Sequence, residues 1–105
     1  MKLKRYGQTY DVEPMFGMYG NDRLAMQLVE PDLSVFGTVT VNLVDEQLTD
    51  DLCAFIDTNN LGEDIVLWLE RNGLGETTNN FGQSGFCVYP EFRFKKEVVA
   101  KYSPQ

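Results

Sequence analysis

One segment of this chain repeats its apolar residues with the period of a helix, and that segment most constrains the fold. Four apolar residues at i, i+4, i+7 and i+8 form one stripe: Leu61, Ile65, Trp68 and Leu69. Asn60 stands at the N-cap position, with Glu63 three residues later in capping-box spacing. Gly73 followed by Leu74 is a typical C-terminal stop, with the glycine in the left-handed conformation. The sequence therefore predicts one α-helix, over about residues 61–72.

The amino-terminal half of the chain alternates apolar and polar residues with period 2, which is typical of strands. Residues 2–6 and 8–16 are expected to be extended, with Gly7 as a kink or bulge between them. Residues 23–30 and 35–43 alternate on either side of a short Pro-Asp turn, which predicts a β-hairpin.

The remaining segments are a mixture of strands and loops. Residues 45–51 are acidic and irregular and predict a surface loop, residues 52–56 predict a buried strand, and residues 75–84 predict a polar loop. Residues 85–94 predict a strand, with Phe86, Val88, Phe92 and Phe94 on one face and Cys87, Tyr89, Glu91 and Arg93 on the other. Because Pro90 cannot donate a hydrogen bond, this strand is expected to lie at an edge or to carry a bulge.

Together these elements predict an α+β fold in one compact domain over residues 1–105. We expect an antiparallel β-sheet of five to six strands, packed on one face by the single α-helix. The expected core joins helix and sheet: Trp68, Ile65, Leu69, Met26, Val39, Val41 and Phe86. A basic tail is expected to fray after about residue 96.

Composition excludes several kinds of chemistry. The chain has no histidine, which excludes Ser-His and Cys-His nucleophilic pairs and histidine-ligated zinc. Cys53 and Cys87 stand in apolar surroundings and are predicted to be buried, reduced thiols. The segment starting at Asp57 begins like a calcium loop, but Leu61 and Trp68 occupy positions that need oxygen ligands. Asp57 is therefore expected to cap the helix, and no catalytic residue, cofactor or metal ion is predicted.

The charge of the chain is strongly acidic and unevenly spread. Sixteen acidic residues against nine basic ones give a net charge of −7. Fifteen of the acids lie within residues 6–92, where Arg23 and Arg71 are the only bases. A surface this acidic repels phosphate backbones, so direct binding to DNA or RNA is not expected. The excess acid either keeps the protein soluble or meets a basic partner, such as a surface that normally holds nucleic acid.

Two kinds of residue are candidates for binding. Carboxylates and an amide that suit a basic partner lie in the middle of the chain: Asp50, Asp51, Asp57, Asn59, Glu63 and Asp64. Tyr89 and Arg93 project from the strand face opposite the phenylalanines. If that face is open to solvent, they are the residues of the chain best suited by type to a binding hot spot. Paired carboxylates also serve glycosidases, but a domain of this size leaves little volume for the cleft that a sugar needs.

Two segments of the chain, Cys53–Asn60 and Gly82–Phe94, resemble the signature stretches of the domain of unknown function 4313 family. The predicted hairpin and the end of the predicted helix look like the same family, so the resemblance covers about residues 20–95. It implies a small accessory protein of bacteria, often encoded on plasmids, conjugative elements or phages, and located in the cytoplasm. It implies no activity and no catalytic residue.

Two functions from different classes remain open at this point. The first is non-enzymatic binding to a protein partner with a basic surface, a narrower version being inhibition of a host nucleic-acid-binding defence protein. The second is a small-ligand carrier or enzyme with a carboxylate-lined pocket near Asp57. The chain holds no apolar run of about 20 residues and no apolar leader after Met1, so a cytoplasmic protein without membrane contact is expected. It is expected to be a monomer or a weak homodimer.

Overall fold

The structure, a computed structural model, describes residues 1–104, which contain nine strands and three helices. The strands are β1 (Lys2–Arg5), β2 (Gln8–Asp11), β3 (Glu13–Met18), β4 (Leu24–Val29), β5 (Val35–Thr38), β6 (Thr40–Val41), β7 (Cys53–Ile56), β8 (Gly75–Ser84) and β9 (Cys87–Phe94). The helices are α1 (Thr58–Leu61), α2 (Asp64–Arg71) and α3 (Lys96–Lys101).

The predicted α+β class with antiparallel strands is confirmed, but the expected single sheet of five to six strands is wrong. The strands form three sheets, in the orders β1-β2, β3-β4-β5 and β6-β7-β9-β8. All of their pairings are antiparallel. The alternation in the sequence shows which residues are extended, but it does not show where a strand leaves one sheet and enters the next.

The strands β1 and β2 form a two-stranded ribbon that Tyr6 and Gly7 connect. These two residues have φ values of 53° and 73°. Two successive residues with positive φ are typical of the type I′ turn, whose twist matches that of the strands it joins. Gly7 therefore belongs to a hairpin turn and is not a kink or bulge within one longer strand.

The predicted hairpin over residues 23–43 is confirmed, since β4 pairs with β5. The segment expected to form its second strand is interrupted at Val39, between β5 and β6. The Val39 N–H donates to the Met26 carbonyl oxygen at 2.9 Å, and the Val39 carbonyl oxygen accepts from the Asp57 N–H at 2.8 Å. The following residues form β6, which pairs with β7. Val39 thus joins the three-stranded sheet to the four-stranded sheet.

The predicted buried strand is β7, whose four residues are all buried between β6 and β9. The strand β9 is an interior strand, so the expectation that Pro90 lies at an edge is wrong. The alternative expectation, a bulge in this strand at Pro90, is also wrong: the bulge lies on the partner strand, where residues 78–80 of β8 lie opposite Glu91. Pro90 pairs with Phe81 on β8, and the pairing of β9 with β7 covers Glu91–Arg93 and stops before Pro90.

Residues 75–84 were expected to form a polar loop, but they form the ten-residue strand β8. The expectation fails because β8 is the outer strand of its sheet, where polar side chains can remain in water while the backbone pairs with β9. Gly75 allows this pairing to begin, because a Cβ at this position would overlap the carbonyl oxygen of Arg93.

The helix expected over residues 61–72 begins later, as α2 at Asp64, because Gly62, with a φ of 87°, separates it from the additional short helix α1. The expected capping box of Asn60 and Glu63 is therefore wrong. Instead Asp57 caps α1 by accepting from the Asn60 N–H at 3.2 Å, which confirms the capping role predicted for Asp57. The predicted end of the helix is confirmed: Gly73 has a φ of 70°, and the N–H of the following residue, Leu74, donates to the Leu69 carbonyl oxygen at 3.1 Å.

The basic tail expected to fray after about residue 96 forms α3 instead. Val98, Val99 and Tyr102 pack against the main core, and the Phe16 N–H on β3 donates to the Tyr102 carbonyl oxygen at 3.0 Å. The tail was expected to fray because its lysines are conspicuous in the sequence. The apolar residues between those lysines face the core and hold the helix in place.

The main core lies between α2, the three-stranded sheet and one face of the four-stranded sheet. That sheet face, which we call the core face, carries Ala54, Ile56, Phe92 and Phe94. Four of the predicted core residues are buried in the main core: Met26, Val39, Ile65 and Leu69.

Trp68, Val41 and Phe86 differ from the predicted core. Trp68 packs at the boundary of the main core, and its Nε1–H donates to the Lys2 carbonyl oxygen at 2.7 Å. Val41 packs against a second, smaller cluster. Phe86 is fully exposed, because Gly85 and Phe86 form the two-residue turn between β8 and β9.

Candidate protein-binding surface

The opposite face of the four-stranded sheet, which we call the loop face, is covered by a loop instead of a helix. After β6 the chain crosses this face, and Leu43 packs against Phe55 and Tyr89 to form the second cluster. A Cβ at Gly82 on β8 would lie 2.7 Å from the Phe55 ring and 2.8 Å from the Leu43 side chain. The absence of a side chain at Gly82 therefore lets the loop lie directly on the sheet.

Residues 44–51, which we call the acidic loop, follow this crossing and are held in part by Arg23. The Arg23 guanidinium donates to the carbonyl oxygens of Leu43 at 2.7 Å and Glu46 at 2.6 Å. Both acceptors are backbone groups, so Arg23 fixes the path of the chain without pairing with a carboxylate of the loop. The side chains of Asp45 and Asp51 are exposed to solvent.

Glu91 holds the middle of the acidic loop from inside the protein. Its carboxylate is buried, with 1% of the residue exposed, and accepts from the Thr49 N–H at 2.7 Å and the Thr49 hydroxyl at 2.6 Å. The β8 bulge supplies two more donors, the Thr78 hydroxyl at 2.5 Å and the Asn80 Nδ2 amide at 3.4 Å. The bulge opposite Glu91 therefore provides the hydrogen bonds that a buried carboxylate requires.

The protonation of Glu91 follows from the same contacts. Burial raises the pKa of Glu91, but the hydrogen bonds from Thr49 and Thr78 outweigh it, so the pKa lies below its ordinary value of 4.5. Glu91 is therefore charged at neutral pH and holds Thr49 through charge-assisted hydrogen bonds, which are stronger than neutral ones.

The carboxyl end of the acidic loop is fixed at Asp50. Its carboxylate accepts from the Leu52 N–H at 2.9 Å and pairs with the Arg93 Nε at 2.9 Å. The hydrogen bond from the Leu52 N–H is the main cause of a lowered pKa for Asp50, to which Cys53 and Arg93 also contribute. Burial, together with the neighbouring Asp50, raises the pKa of the Cys53 thiol to about 11. Cys53 is thus a protonated, buried thiol, as predicted, and is not an activated nucleophile.

The outer end of the β8–β9 hairpin carries exposed apolar side chains. We call residues 81–90 the hairpin arm. Phe81 is 62% exposed, Val88 is 54% exposed and Phe86, at the turn, is 106% exposed. Phe81 pairs with Pro90, and Gln83 pairs with Val88, which places Phe81 and Val88 on the core face beyond the main core. Residues 77–90 contain no charged residue, although charged residues, Glu76 and Glu91, stand directly before and after them.

The acidic loop and the hairpin arm meet at a cleft of about 150 Å³. The loop contributes Val44, Asp45 and Glu46, and the arm contributes Gln83 and Ser84. A carboxylate-bearing loop and an uncharged strand with exposed apolar residues are therefore neighbours on one side of the molecule.

A second cleft of about 420 Å³ lies against the acidic loop. Its lining includes Asp22, Arg23, Asp50 and Asp51. Within residues 1–104, no group of three or more Cys, Asp or Glu side chains is placed to hold a metal ion.

The structure places the eight predicted binding residues in separate parts of the fold. Asp50 and Asp51 lie in the acidic loop, and Arg93 pairs with Asp50. Tyr89 is 9% exposed in the second cluster, so the condition for its binding role, a face open to solvent, is not met. The acidic loop covers that face, which alternation alone could not show.

The other four predicted residues lie at the two short helices. Asp57 accepts from the Asn60 N–H and, at 2.8 Å, from the Asn60 Nδ2 amide, so its carboxylate is used in capping. Asp64 pairs with Arg5 at 3.3 Å. Asn59 and Glu63 are exposed.

Sequence reasoning missed Phe81, Phe86 and Val88 as surface residues. The expectation of a loop over residues 75–84 concealed the hairpin, and alternation then assigned Phe86 to the core. A usable signal was present, because residues 77–90 lack charge in a chain of which 24% is charged. Glu91 was also missed, since a buried glutamate cannot be recognised without the bulge that supplies its donors.

Comparison with known proteins identifies a family but no described relative. The family model described as Domain of unknown function (DUF4313) matches residues 15–105, which is most of the chain. No curated protein and no solved structure matches the chain. No helix among residues 1–104 is long and apolar enough to cross a membrane. The chain belongs to the DUF4313 family.

Proposed function

We propose that this member of the DUF4313 family is a non-enzymatic binding protein whose acidic loop engages a basic surface of a protein partner. The observation that carries the proposal is how the acidic loop is held. Arg23 binds its carbonyl oxygens and Glu91 binds Thr49, while the carboxylates of Asp45 and Asp51 remain exposed. The loop is therefore ordered before a partner arrives, and its free charges are not consumed in holding it.

Ordering of this kind favours binding for a physical reason. A loop that must become ordered on binding loses conformational entropy, which weakens the affinity. A loop already fixed by buried hydrogen bonds avoids that loss. Exposed carboxylates then steer a positively charged partner into position and accelerate association.

A variant pair tests the role of the acidic loop. The double variant Asp45→Asn and Asp51→Asn removes two exposed charges from the loop, and Glu13→Gln with Glu97→Gln removes two exposed charges elsewhere. Partners are captured from a bacterial lysate by cross-linking and identified by mass spectrometry, and association rates are then measured with the purified partner. We expect the loop variant to associate more slowly and the control variant to associate like the parent.

Salt dependence provides the second measurement. Association steered by exposed carboxylates should slow steeply as salt rises from about 0.05 to 0.5 M, because the Debye length falls below about 8 Å past 0.15 M. An association rate that is independent of salt, or equal slowing by the loop and control variants, contradicts the proposal.

The narrower form of the proposal is inhibition of a nucleic-acid-binding defence protein of the host. Exposed carboxylates would then occupy the basic surface that holds phosphates, in keeping with the bacterial accessory role that the family resemblance implies. The purified partner should release a labelled DNA or RNA when this chain is added, and the loop variant should release less. If the partner binds this chain and the nucleic acid at the same time, inhibition by competition is excluded, while binding of the acidic loop to a basic partner is not.

A further inference from the structure

The outer edge of β8 lacks most of the features that protect exposed sheet edges. The strand order β6-β7-β9-β8 leaves β8 with a neighbour on one side. Edge strands in natural proteins are usually kept short, or protected by lysine, proline or a bulge. The ten residues of β8 include neither lysine nor proline, and their bulge is confined to residues 78–80. The four residues that follow, Phe81–Ser84, form a regular and unprotected edge.

The two faces beside this edge have different chemistry. On the loop face, Gly82 and Ser84 lie next to the acidic loop, where Asp45 and Glu46 share a cleft with Ser84. On the core face, Phe81 and Val88 are exposed and the arm has no charge. A strand added at the edge would point alternate side chains to the two faces. One set would meet carboxylates and the other would meet apolar side chains.

We infer that the outer edge of β8 binds an extended segment of a partner protein in which basic and apolar residues alternate. Main-chain hydrogen bonds to Phe81–Ser84 would add the segment to the sheet as a fifth strand. Its Lys or Arg side chains would approach Asp45 and Glu46, and its apolar side chains would pack beside Phe81 on β8. This inference rests on the proposed function, since it names the form in which a basic partner reaches the acidic loop.

Charge favours such a segment over a second copy of this chain. Pairing of two β8 edges would bring two acidic loops together, because each loop lies beside the Gln83–Ser84 end of its own strand. Each copy also carries a net charge of −7. A basic segment bound at the same edge would instead be attracted by the carboxylates of the acidic loop.

Synthetic peptides of about eight residues test the inference without knowledge of the partner. The first alternates lysine with valine, the second has the same composition with lysines and valines in separate blocks, and the third alternates glutamate with valine. Binding to the whole protein is measured by calorimetry, and the backbone amide signals of Phe81–Ser84 are followed by NMR. We expect the alternating basic peptide to bind, with the largest amide shifts at Phe81–Ser84, and the other two to bind weakly or not at all.

Two variants assign the contacts on each face. Asp45→Asn with Glu46→Gln should weaken binding of the alternating basic peptide roughly threefold to tenfold, as expected for the loss of two charge pairs at the protein surface. Phe81→Ser should also weaken it and, because Phe81 is exposed, should leave the fold intact. The control Glu13→Gln should bind the peptide like the parent.

Three other results of the peptide experiments would contradict the inference, and each indicates a different explanation. Equal binding of the alternating and block peptides would mean attraction by charge alone, which leaves the proposed function standing without strand addition. Concentration-dependent dimers that shift the same amide signals would identify a second copy as the occupant. If no peptide binds, the inference fails, while the proposed function is decided separately by the partner experiments on Asp45 and Asp51.

Discussion

The two faces of the four-stranded sheet are covered in different ways. The core face packs Ala54, Ile56, Phe92 and Phe94 against α2 and the three-stranded sheet, with apolar contacts throughout. The loop face has a small cluster of three buried side chains and depends on a buried glutamate and an arginine that binds carbonyl oxygens. Apolar burial gives most of the stability of a small domain. Directional hydrogen bonds fix where a loop lies, and they fix the acidic loop here.

The largest expected effect lies on the core face. Phe92 is fully buried and packs edge-on against Phe94, with ring centroids 4.9 Å apart. Phe92→Ala should lower the free energy of unfolding by about 3–5 kcal/mol, because it removes buried apolar surface and leaves a cavity. Denaturation by urea measures the change. A loss below about 1 kcal/mol would mean that the core face is not the main source of stability.

On the loop face, Gly82→Ala should have a smaller effect on stability and a local effect on structure. The added methyl group would lie 2.7–2.8 Å from Phe55 and Leu43, so the crossing loop must move outward. We expect a cost of about 1–3 kcal/mol, typical of overpacking. Gly17→Ala is the matched control, because a Cβ at Gly17 meets no atom within 4 Å.

Hydrogen exchange distinguishes the two glycine variants. Gly82→Ala should increase exchange at the Thr49 amide, which Glu91 holds, because displacement of Leu43 loosens the acidic loop. Gly17→Ala should leave this amide unchanged. Equal behaviour of both variants would show that the loop does not depend on contact with the sheet at Gly82.

Glu91 provides a pH-dependent test of the loop face. Its pKa is lowered in the folded protein, so the ionised form is favoured by folding. Its contribution to stability is present above the ordinary pKa of 4.5 and is lost as the pH falls from there through the lowered pKa. Glu91→Gln should therefore cost about 1–3 kcal/mol at pH 7, through loss of charge-assisted hydrogen bonds, and less in acid.

The measurement is the difference in unfolding free energy between the parent and Glu91→Gln across this pH range. Other carboxyls with lowered pKa values, such as Asp11 and Asp32, also destabilise the parent in acid. They share no hydrogen-bond partner with Glu91 and act equally in both proteins, so their effects cancel in the difference. A difference that does not shrink in acid would contradict the role of the Glu91 charge.

The sequence predicted the core face better than the loop face. Period-2 and period-3.6 patterns located Met26, Val39, Ile65 and Leu69, because local periodicity determines which side of an element is apolar. The loop face depends on contacts between residues far apart in the chain. Glu91 meets Thr49 at a separation of 42 residues, and Arg23 meets Glu46 at a separation of 23. No local pattern encodes such pairs.

The candidate surface was predicted only in part, for a related reason. Asp50 and Asp51 were identified from charge alone, and charge is visible in the sequence. Tyr89 was a binding candidate on the condition that its face is open, and nothing in its own strand shows that a distant loop covers that face. Phe86 was assigned to the core because the apolar alternation of β9 extends back through the turn. The polar sequence of β8 gave no sign that a hairpin turn lies there. The burial of Tyr89 and the exposure of Phe86 both depend on contacts between segments that are far apart in the sequence or on the pairing of strands.

The smallest expected effect on stability lies at the tip of the hairpin arm. Phe86 is fully exposed, so Phe86→Ser removes no buried surface and should change the free energy of unfolding by no more than about 0.5 kcal/mol. Phe92→Ala, a change of the same residue type on the core face, is expected to cost several times more. Urea denaturation of both variants under the same conditions gives the ratio directly. If Phe86→Ser destabilises the protein by more than about 1 kcal/mol, the phenylalanine packs against the protein in solution, and the hairpin arm does not offer the exposed apolar surface described above.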